Sequence, residues 1–470
     1  LSAVVSAACI PVLYLLVKKL FTNKSLAYLS TLFLLTMTGF IQYAHFATYE
    51  SLHTFFYLCI LLISISILSN PSRRNYYLLA VVIGLAIGSK VTNLYLLVLP
   101  LLLNLITEVT NEEYTIDISS LISVDFRNVL FSKTVLTAIA VSTGMFLITN
   151  PYSILDYHVF LNSILFESNV ATGAREIFYT REFINTTPVL YQITHVFPFI
   201  SGYLFTAVAI FAVIFAGLHA FKNLKKIQPK WVPVWYVYGA YAVFNLTLFV
   251  KWTRYMVPLL PALIIVNIWF ALKIQLDPHL KKISYGLLVV LLFEVTLRGV
   301  SFFTIYTQPD TRIQAAEWVA NTIPAEATIL IESNEPNSIV FRSSHAKKLV
   351  EFDFYELSQD INLPGELQNK IDATDYYILS SRRVFFHSLK QPNLYPKQYL
   401  FYSSLFNNRL ELKETKQFSI SPCIVTPAAR DSLPRWLVTG ICPINTDSAE
   451  STFVVFDHPT VTIYEKDIAF

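Results

Sequence analysis

The chain has 470 residues, of which 54% are hydrophobic and only 14% charged, with a formal net charge of +3. Soluble proteins carry about 25% charged residues, so this composition excludes a soluble globular protein, and so small a net charge gives no argument for a nucleic-acid partner. What fits is a chain that crosses a membrane many times and carries a more polar region besides.

Taken in order, the stretches 1–17, 26–44, 52–69, 76–89, 91–106, 133–149, 195–218, 231–250, 255–272 and 283–304 read as spanning helices, since about 20 apolar residues suffice to cross a hydrocarbon core of about 30 Å. The two that flank Lys90 are short and read as broken or tilted. One set of loops is rich in lysine and arginine, among them Lys18, Lys19, Arg73, Arg74, Lys222, Lys225, Lys226, Lys230, Lys281 and Lys282, whereas the other holds chiefly Lys90, Arg175, Arg181, Lys251 and Arg254. By the positive-inside rule the first set is cytoplasmic. Glu50, the loop 150–190 and everything after about residue 305 are therefore expected outside a plasma (inner) membrane that the chain crosses in multiple passes. Leu1 opens within an apolar run and falls on the outer side, so this reading expects at least one further helix before it.

After residue 304 the composition turns mixed. The runs Thr328–Ile331, Tyr376–Leu379 and Phe453–Phe456 read as buried strands, 311–322 as an amphipathic helix, and Asp457–Thr460 as a turn between two strands. The expected organisation is a transmembrane domain, 1–304, followed by an extracytoplasmic α/β domain, 305–470. Cys423 and Cys442 in that second region are placed to form one disulfide if it faces an oxidising compartment.

Four polar places fall on the outer face. They are His45, Tyr49, Glu50 and His53 between two spans; Ser89 and Lys90 between two more; Asn150, Tyr152, Asp156 and His158; and Lys251 with Arg254 and Tyr255. An ionisable group at lipid depth is costly and usually functional. If the bundle closes, two acids (Glu50, Asp156) and the cations Lys90, Arg254 and Lys251 converge. That set suits the activation of a hydroxyl or amine by a carboxylate base and the expulsion of a phosphate stabilised by cations. Each has a plainer alternative: Glu50 and Asp156 as helix caps, Lys90 as a snorkelling lysine, Arg254 as an interfacial anchor beside Trp252. The histidines His45, His53, His158 and His195 match no metal-ligand spacing, which leaves a divalent metal open and no other cofactor expected. Asn185-Thr186-Thr187 is a glycosylation-type triplet.

The ordered motifs His45…Tyr49-Glu50, Gly84-Leu85-Ala86-Ile87-Gly88-Ser89-Lys90, Asn150-Pro151-Tyr152…Asp156 and Arg254-Tyr255…Pro258-Leu259-Leu260-Pro261 resemble polytopic glycosyltransferases that use lipid-phosphate sugars, within them the bacterial relatives of the protein O-mannosyltransferases and of the aminoarabinose transferase. The segments 375–383 and 453–459 are similar to the outer domain of one bacterial branch. The resemblance implies the family C glycosyltransferase fold, a multi-span helical membrane bundle followed by a soluble α/β domain. It also implies transfer of a hexose or pentose from a polyprenyl-phosphate donor to a lipid, glycan or protein acceptor. On the matching positions Glu50 is the second outer acid, Lys90 and Arg254 contact the donor phosphate, and Asp156 lies near the acceptor. His45, Tyr49, His53, Tyr152, His158 and Lys251 are candidate substrate contacts. A principal acid of the family lies in a loop that would precede Leu1. The competing reading is a transporter or flippase of lipid-linked saccharides with Glu50 in a proton relay, although no pair of matching interrupted segments supports it.

Overall fold

The computed structural model describes residues 1–110, 115–116, 124–223, 227–342, 348–424 and 442–467; Lys225 and Lys226 lie outside the described residues. The chain packs as two compact units, one made of Leu1–Arg175 and Thr187–Gly299, the other of Glu176–Thr186 and Val300–Phe470.

The first unit is a helical bundle. Helix α1 (Ser2–Phe21) ends on Lys18 and Lys19, cations that suit the negative end of the helix dipole. Asn23 caps α2 (Lys24–Thr36) by accepting from the Leu26 N–H. Met37, in an extended conformation, then turns the chain by 59° into α3 (Thr38–His45). Next come α4 (Glu50–Ser69) and α5 (Arg73–Ser89), the latter capped by Ser72. Past Lys90 a 3₁₀ segment, Val91–Val98, leads into α6 (Leu99–Val109). Longer helices follow at Lys133–Thr149, Tyr203–Lys222, Trp231–Thr247, Leu260–Ile274 and Lys281–Phe303.

Among the described residues, 7 helical stretches are long and apolar enough to cross a membrane, or 8 with α2 and α3 as one bent span. Helix α5 and Trp231–Thr247, at 17 residues each, lie at the short end of what can span. The outward side chains of Tyr203–Lys222, such as Phe211, Ile214, Leu218 and Phe221, are exposed, as lipid-facing positions are. The chain is a multi-pass membrane protein, and its backbone meets the requirement of lipid by hydrogen-bonding within helices.

One contact fixes the site's geometry. Gly84 and Gly88 let α5 lie directly against Lys133–Thr149: a Cβ at Gly84 would run into the Ser142 carbonyl, and one at Gly88 into the Thr149 hydroxyl. Such small-xxx-small spacing is how membrane helices approach closely. Asn150 Nδ2 donates to the Gly88 carbonyl at 3.1 Å and Ser142 Oγ to that of Ala80 at 2.9 Å, so the end of α5 that delivers Lys90 is tied down.

The second unit holds a five-stranded sheet of order β2-β1-β3-β5-β4. Strands β1 (Thr328–Glu332), β2 (Lys348–Phe352) and β3 (Tyr376–Leu379) are parallel, while β5 (Val461–Lys466) runs antiparallel to β3 and to β4 (Leu412–Phe418). The amphipathic run forms a helix, Thr311–Thr322, whose Ala315 and Val319 pack on Ile329, Ile331 and Ile463. Tyr377, Leu379 and Leu330 face a second core with Phe354, Phe401 and Tyr402. Cys423 and Cys442 form a disulfide.

Two expectations are corrected here. Phe453–Phe456 is no strand: Thr452–Val455 is a short helix, begun where the Thr452 N–H donates to Glu450 Oε1 at 2.9 Å. A run of four apolar residues looks alike on a helix and on a strand, and here Phe453, Val454 and Val455 are buried while Phe456 is exposed. Asp457–Thr460 accordingly joins this helix to β5 rather than joining two strands.

At the end of β1, Glu332 is fully buried and its Oε1 accepts from Tyr402 at 2.7 Å and Tyr377 at 3.1 Å. Burial, with the nearby Glu335 carboxylate, pushes the Glu332 carboxyl from 4.5 up to about 8. The fold thus prefers the protonated acid. This stabilisation is complete below the ordinary glutamate value, falls as pH rises, and is gone above about pH 8.

Two stability measurements check these features. Gly84→Val should destabilise the detergent-purified protein by about 1–3 kcal/mol, whereas Gly144→Ala, whose Cβ meets nothing within 4 Å, should leave its melting temperature unchanged or slightly raised. Glu332→Gln supplies a permanently neutral isostere. Relative to this variant the wild type should melt higher at pH 5 than at pH 9, and an equal difference at both would contradict the protonated assignment.

Candidate functional site

The site is built from the segments that end or break at one end of the bundle. Tyr49 is the residue before α4 and Glu50 is its first residue, where the helix dipole favours a negative charge. Glu50 is 1% exposed, and neither carboxylate oxygen nor the neighbouring Thr48 hydroxyl has a hydrogen-bond partner among the described residues. Two cations, Arg254 and Lys90, act on it electrostatically.

Lys90 stands where α5 gives way to the 3₁₀ segment, in an extended conformation with φ −161°. Its Nζ lies 4.1 Å from the Tyr255 ring centre and 5.0 Å from that of Tyr49. Arg254 belongs to the short helix Thr253–Met256; its guanidinium lies 4.6 Å from the Trp252 ring centre and 5.2 Å from that of Tyr255, and its Nε is buried without a partner. The two cations share the Tyr255 ring. Neither has an ion pair among the described residues; rings hold both by cation–π attraction, and Arg254 also hydrogen-bonds to Tyr255.

Beneath them, His53 is fully buried, 5.0 Å from the Tyr49 ring and stacked on Tyr57 at 6.0 Å. Its Nε2 meets Asn93 Nδ2 at 3.3 Å, while Asn93 accepts from the Tyr57 hydroxyl at 2.5 Å and donates to the Ala86 carbonyl at 2.8 Å. Asn93 thereby ties α4 to the chain on both sides of Lys90.

Of the residues expected from the sequence, the structure brings together Glu50, Lys90, Arg254, Tyr49 and His53. It does not bring Asp156 to them. That side chain is exposed and accepts from the Val159 N–H at 3.4 Å, capping the helix Tyr157–Thr172, so its plainer alternative describes what it does. Tyr152 is 71% exposed, and His158, also exposed, has its ring 3.9 Å from that of Tyr157. His45 is exposed at the end of α3, with Nδ1 2.8 Å from the Ile41 carbonyl. Lys251 is fully buried elsewhere, donating to the Phe249 carbonyl at 2.5 Å and lying 6.0 Å from the Tyr191 ring. No three His, Cys, Asp or Glu side chains among the described residues are grouped as a metal site needs.

Asn93, Tyr57 and Glu167 were not singled out in the sequence. Asn93 and Tyr57 lie in apolar runs, where one polar residue among many offers no pattern. Glu167 lies in the loop 150–190, and its carboxylate interacts electrostatically with Lys90, Tyr49 and Tyr255. Only its charge amid the apolar neighbours Leu165 and Phe166 could have marked it.

Residues 1–124 match the family model described as dolichyl-phosphate-mannose-protein mannosyltransferase. No curated protein matches the chain. Among solved structures, ArnT from Cupriavidus metallidurans in the apo state is similar at 14% identity, over 83% of this chain and 79% of that one, with a TM-score of 0.39. The same protein bound to undecaprenyl phosphate is similar at 12% identity, over 83% and 80%, with a TM-score of 0.40. The family match, which includes the His45…Glu50 and Gly84…Lys90 motifs, bears out the resemblance of this chain to the polyprenyl-phosphate-dependent membrane glycosyltransferases of the family C fold.

Proposed function

We propose that the protein is a membrane glycosyltransferase that moves a hexose or pentose from a polyprenyl-phosphate donor to an acceptor on the outer face of a plasma (inner) membrane. The observation that carries this reading is the pair Lys90 and Arg254, held by rings at the end of an apolar bundle and without an ion pair among the described residues. A phosphate at the head of an isoprenoid chain needs such a place: cations for the head and apolar helix surfaces for the tail. Arg254 binds the phosphate through its forked N–H groups and Lys90 as a point charge. As the bond from the sugar to the phosphate breaks, both stabilise the negative charge left on the phosphate. Glu50 balances the two cations before the donor arrives, and an acid facing the acceptor takes its proton.

The buried, unpartnered Glu50 also supports a second reading, in which it carries a proton for a flippase of lipid-linked saccharides. The same vesicles separate the two. Purified full-length protein in liposomes, supplied with a radiolabelled polyprenyl-phosphate hexose, should release polyprenyl phosphate and transfer the sugar. Lys90→Ala and Arg254→Ala should each reduce turnover by about 10²–10³-fold with the melting temperature held. Donor redistribution across the bilayer without sugar transfer would favour the flippase, and wild-type turnover by both variants would remove their assigned roles.

A further inference from the structure

Within the glycosyltransferase reading, on which this step rests, we infer that Asn93 is the positioning residue that directs Lys90 at the donor phosphate, and that it acts through Lys90 and not through Arg254. The chain passes from α5 to the 3₁₀ segment through one extended residue, Lys90, with φ −161° and ψ 121°. A helix that stops leaves its last carbonyls without intrahelical donors, and inside an apolar bundle such groups are costly unless side chains replace the missing ladder. Two asparagines replace it. Asn150 Nδ2 donates to the Gly88 carbonyl at 3.1 Å. Asn93 Nδ2 donates at 2.8 Å to the Ala86 carbonyl, which also accepts from the Lys90 N–H at 3.2 Å. The Asn93 backbone N–H in turn donates to the Lys90 carbonyl at 3.0 Å. Asn93 therefore holds the chain before Lys90 with its side chain and Lys90 itself with its backbone, which closes the turn around this one residue.

The amide is fixed by its partners. A carbonyl can only accept, so the atom facing Ala86 is the nitrogen, and the oxygen accepts from the Tyr57 hydroxyl at 2.5 Å. The same nitrogen meets His53 Nε2 at 3.3 Å, so that ring nitrogen accepts and the imidazole proton sits on Nδ1. Every polar atom of the Asn93 side chain is thus used at a fully buried position, where the low dielectric strengthens each bond. Tyr57 and His53 belong to α4, the helix that begins at Glu50, so the turn is held in place relative to that acid as well. Lysine carries its charge on a flexible four-carbon stem. A fixed turn spares part of the ordering cost of placing that charge, as preorganisation does, and leaves Nζ 4.1 Å from the Tyr255 ring centre. Arg254 stands on a separate short helix, Thr253–Met256, beside Trp252 and Tyr255.

The test is a double-mutant cycle on purified full-length protein in nanodiscs, with undecaprenyl phosphate and the uncharged undecaprenol as binding probes and the melting temperature followed alongside. Asn93→Leu should weaken undecaprenyl phosphate binding by about tenfold and undecaprenol binding by less than about twofold. The same change should cost nothing further in a Lys90→Met protein and its full factor in an Arg254→Met protein. Asn93→Gln, which keeps the amide, should recover part of the lost affinity. If Asn93→Leu does not fold, Asn93→Ser, whose hydroxyl is too short to reach Ala86 and Tyr57 together, carries the same cycle. Equal weakening of both lipids, a full further loss in the Lys90→Met protein, or no loss in the Arg254→Met protein would overturn the assignment while leaving the phosphate seat in place. A wild type that binds the two lipids equally would remove the seat and this role together.

Discussion

Two positive charges without a direct counter-ion among the described residues, at the end of an apolar bundle, are the constraint on which the first unit depends. Cations beside lipid are expensive, and here their cost is offset without an ion pair among the described residues. The rings of Tyr255, Tyr49 and Trp252 face Lys90 and Arg254, and the Glu50 carboxylate acts on both from within the protein. A direct ion pair would occupy the N–H groups that a phosphate requires. The surrounding structure serves to hold this arrangement open. Gly84 and Gly88 bring α5 against Lys133–Thr149, Asn150 and Asn93 hold the chain on either side of Lys90, and Tyr241 donates to the Tyr255 carbonyl at 3.0 Å.

The second unit buries charge by another route. Glu332 lies among tyrosines whose hydroxyls donate to it, and it is accommodated by protonation; His387 and His458, driven by burial down to about 3, stay neutral. Arg181 keeps its charge, paired with Glu176 at 3.2 Å and Glu356 at 3.6 Å. Arg181 is satisfied by its ion pairs and the other three are neutral, although Glu332 Oε2, His387 Nε2 and both ring nitrogens of His458 have no hydrogen-bond partner among the described residues, as is true of the Glu50 oxygens; Glu50 differs in lying beside two cations. Orphaned buried polar atoms of that kind call for an explanation, and a bound anionic substrate is the one offered here.

Much of this architecture was legible in the sequence because hydrophobic runs of spanning length have few other uses. Each apolar stretch from 1–17 to 283–304 contains helix, and Thr328–Ile331 and Tyr376–Leu379 lie in neighbouring strands. Phe453–Phe456 misled because a run of four carries no usable period. At the site, Glu50, Lys90 and Arg254 were legible because a charge inside an apolar context is conspicuous. Asp156 was conspicuous for a different reason, its place just after Asn150-Pro151-Tyr152, and that place is a helix start that a carboxylate caps. Glu167 was hidden because its electrostatic interaction with Lys90 depends on how its helix packs, which no local pattern encodes.

The central claim is that Lys90 and Arg254 form a seat for the phosphate of an isoprenoid lipid. Binding of undecaprenyl phosphate and of the uncharged alcohol undecaprenol to the purified protein in nanodiscs, compared at low and high salt, tests it most directly. The account predicts that the phosphate binds far more tightly than the alcohol, and that Arg254→Met removes this preference without unfolding the protein. Equal affinity for the two lipids, or a preference that survives Arg254→Met and Lys90→Met together, would contradict it.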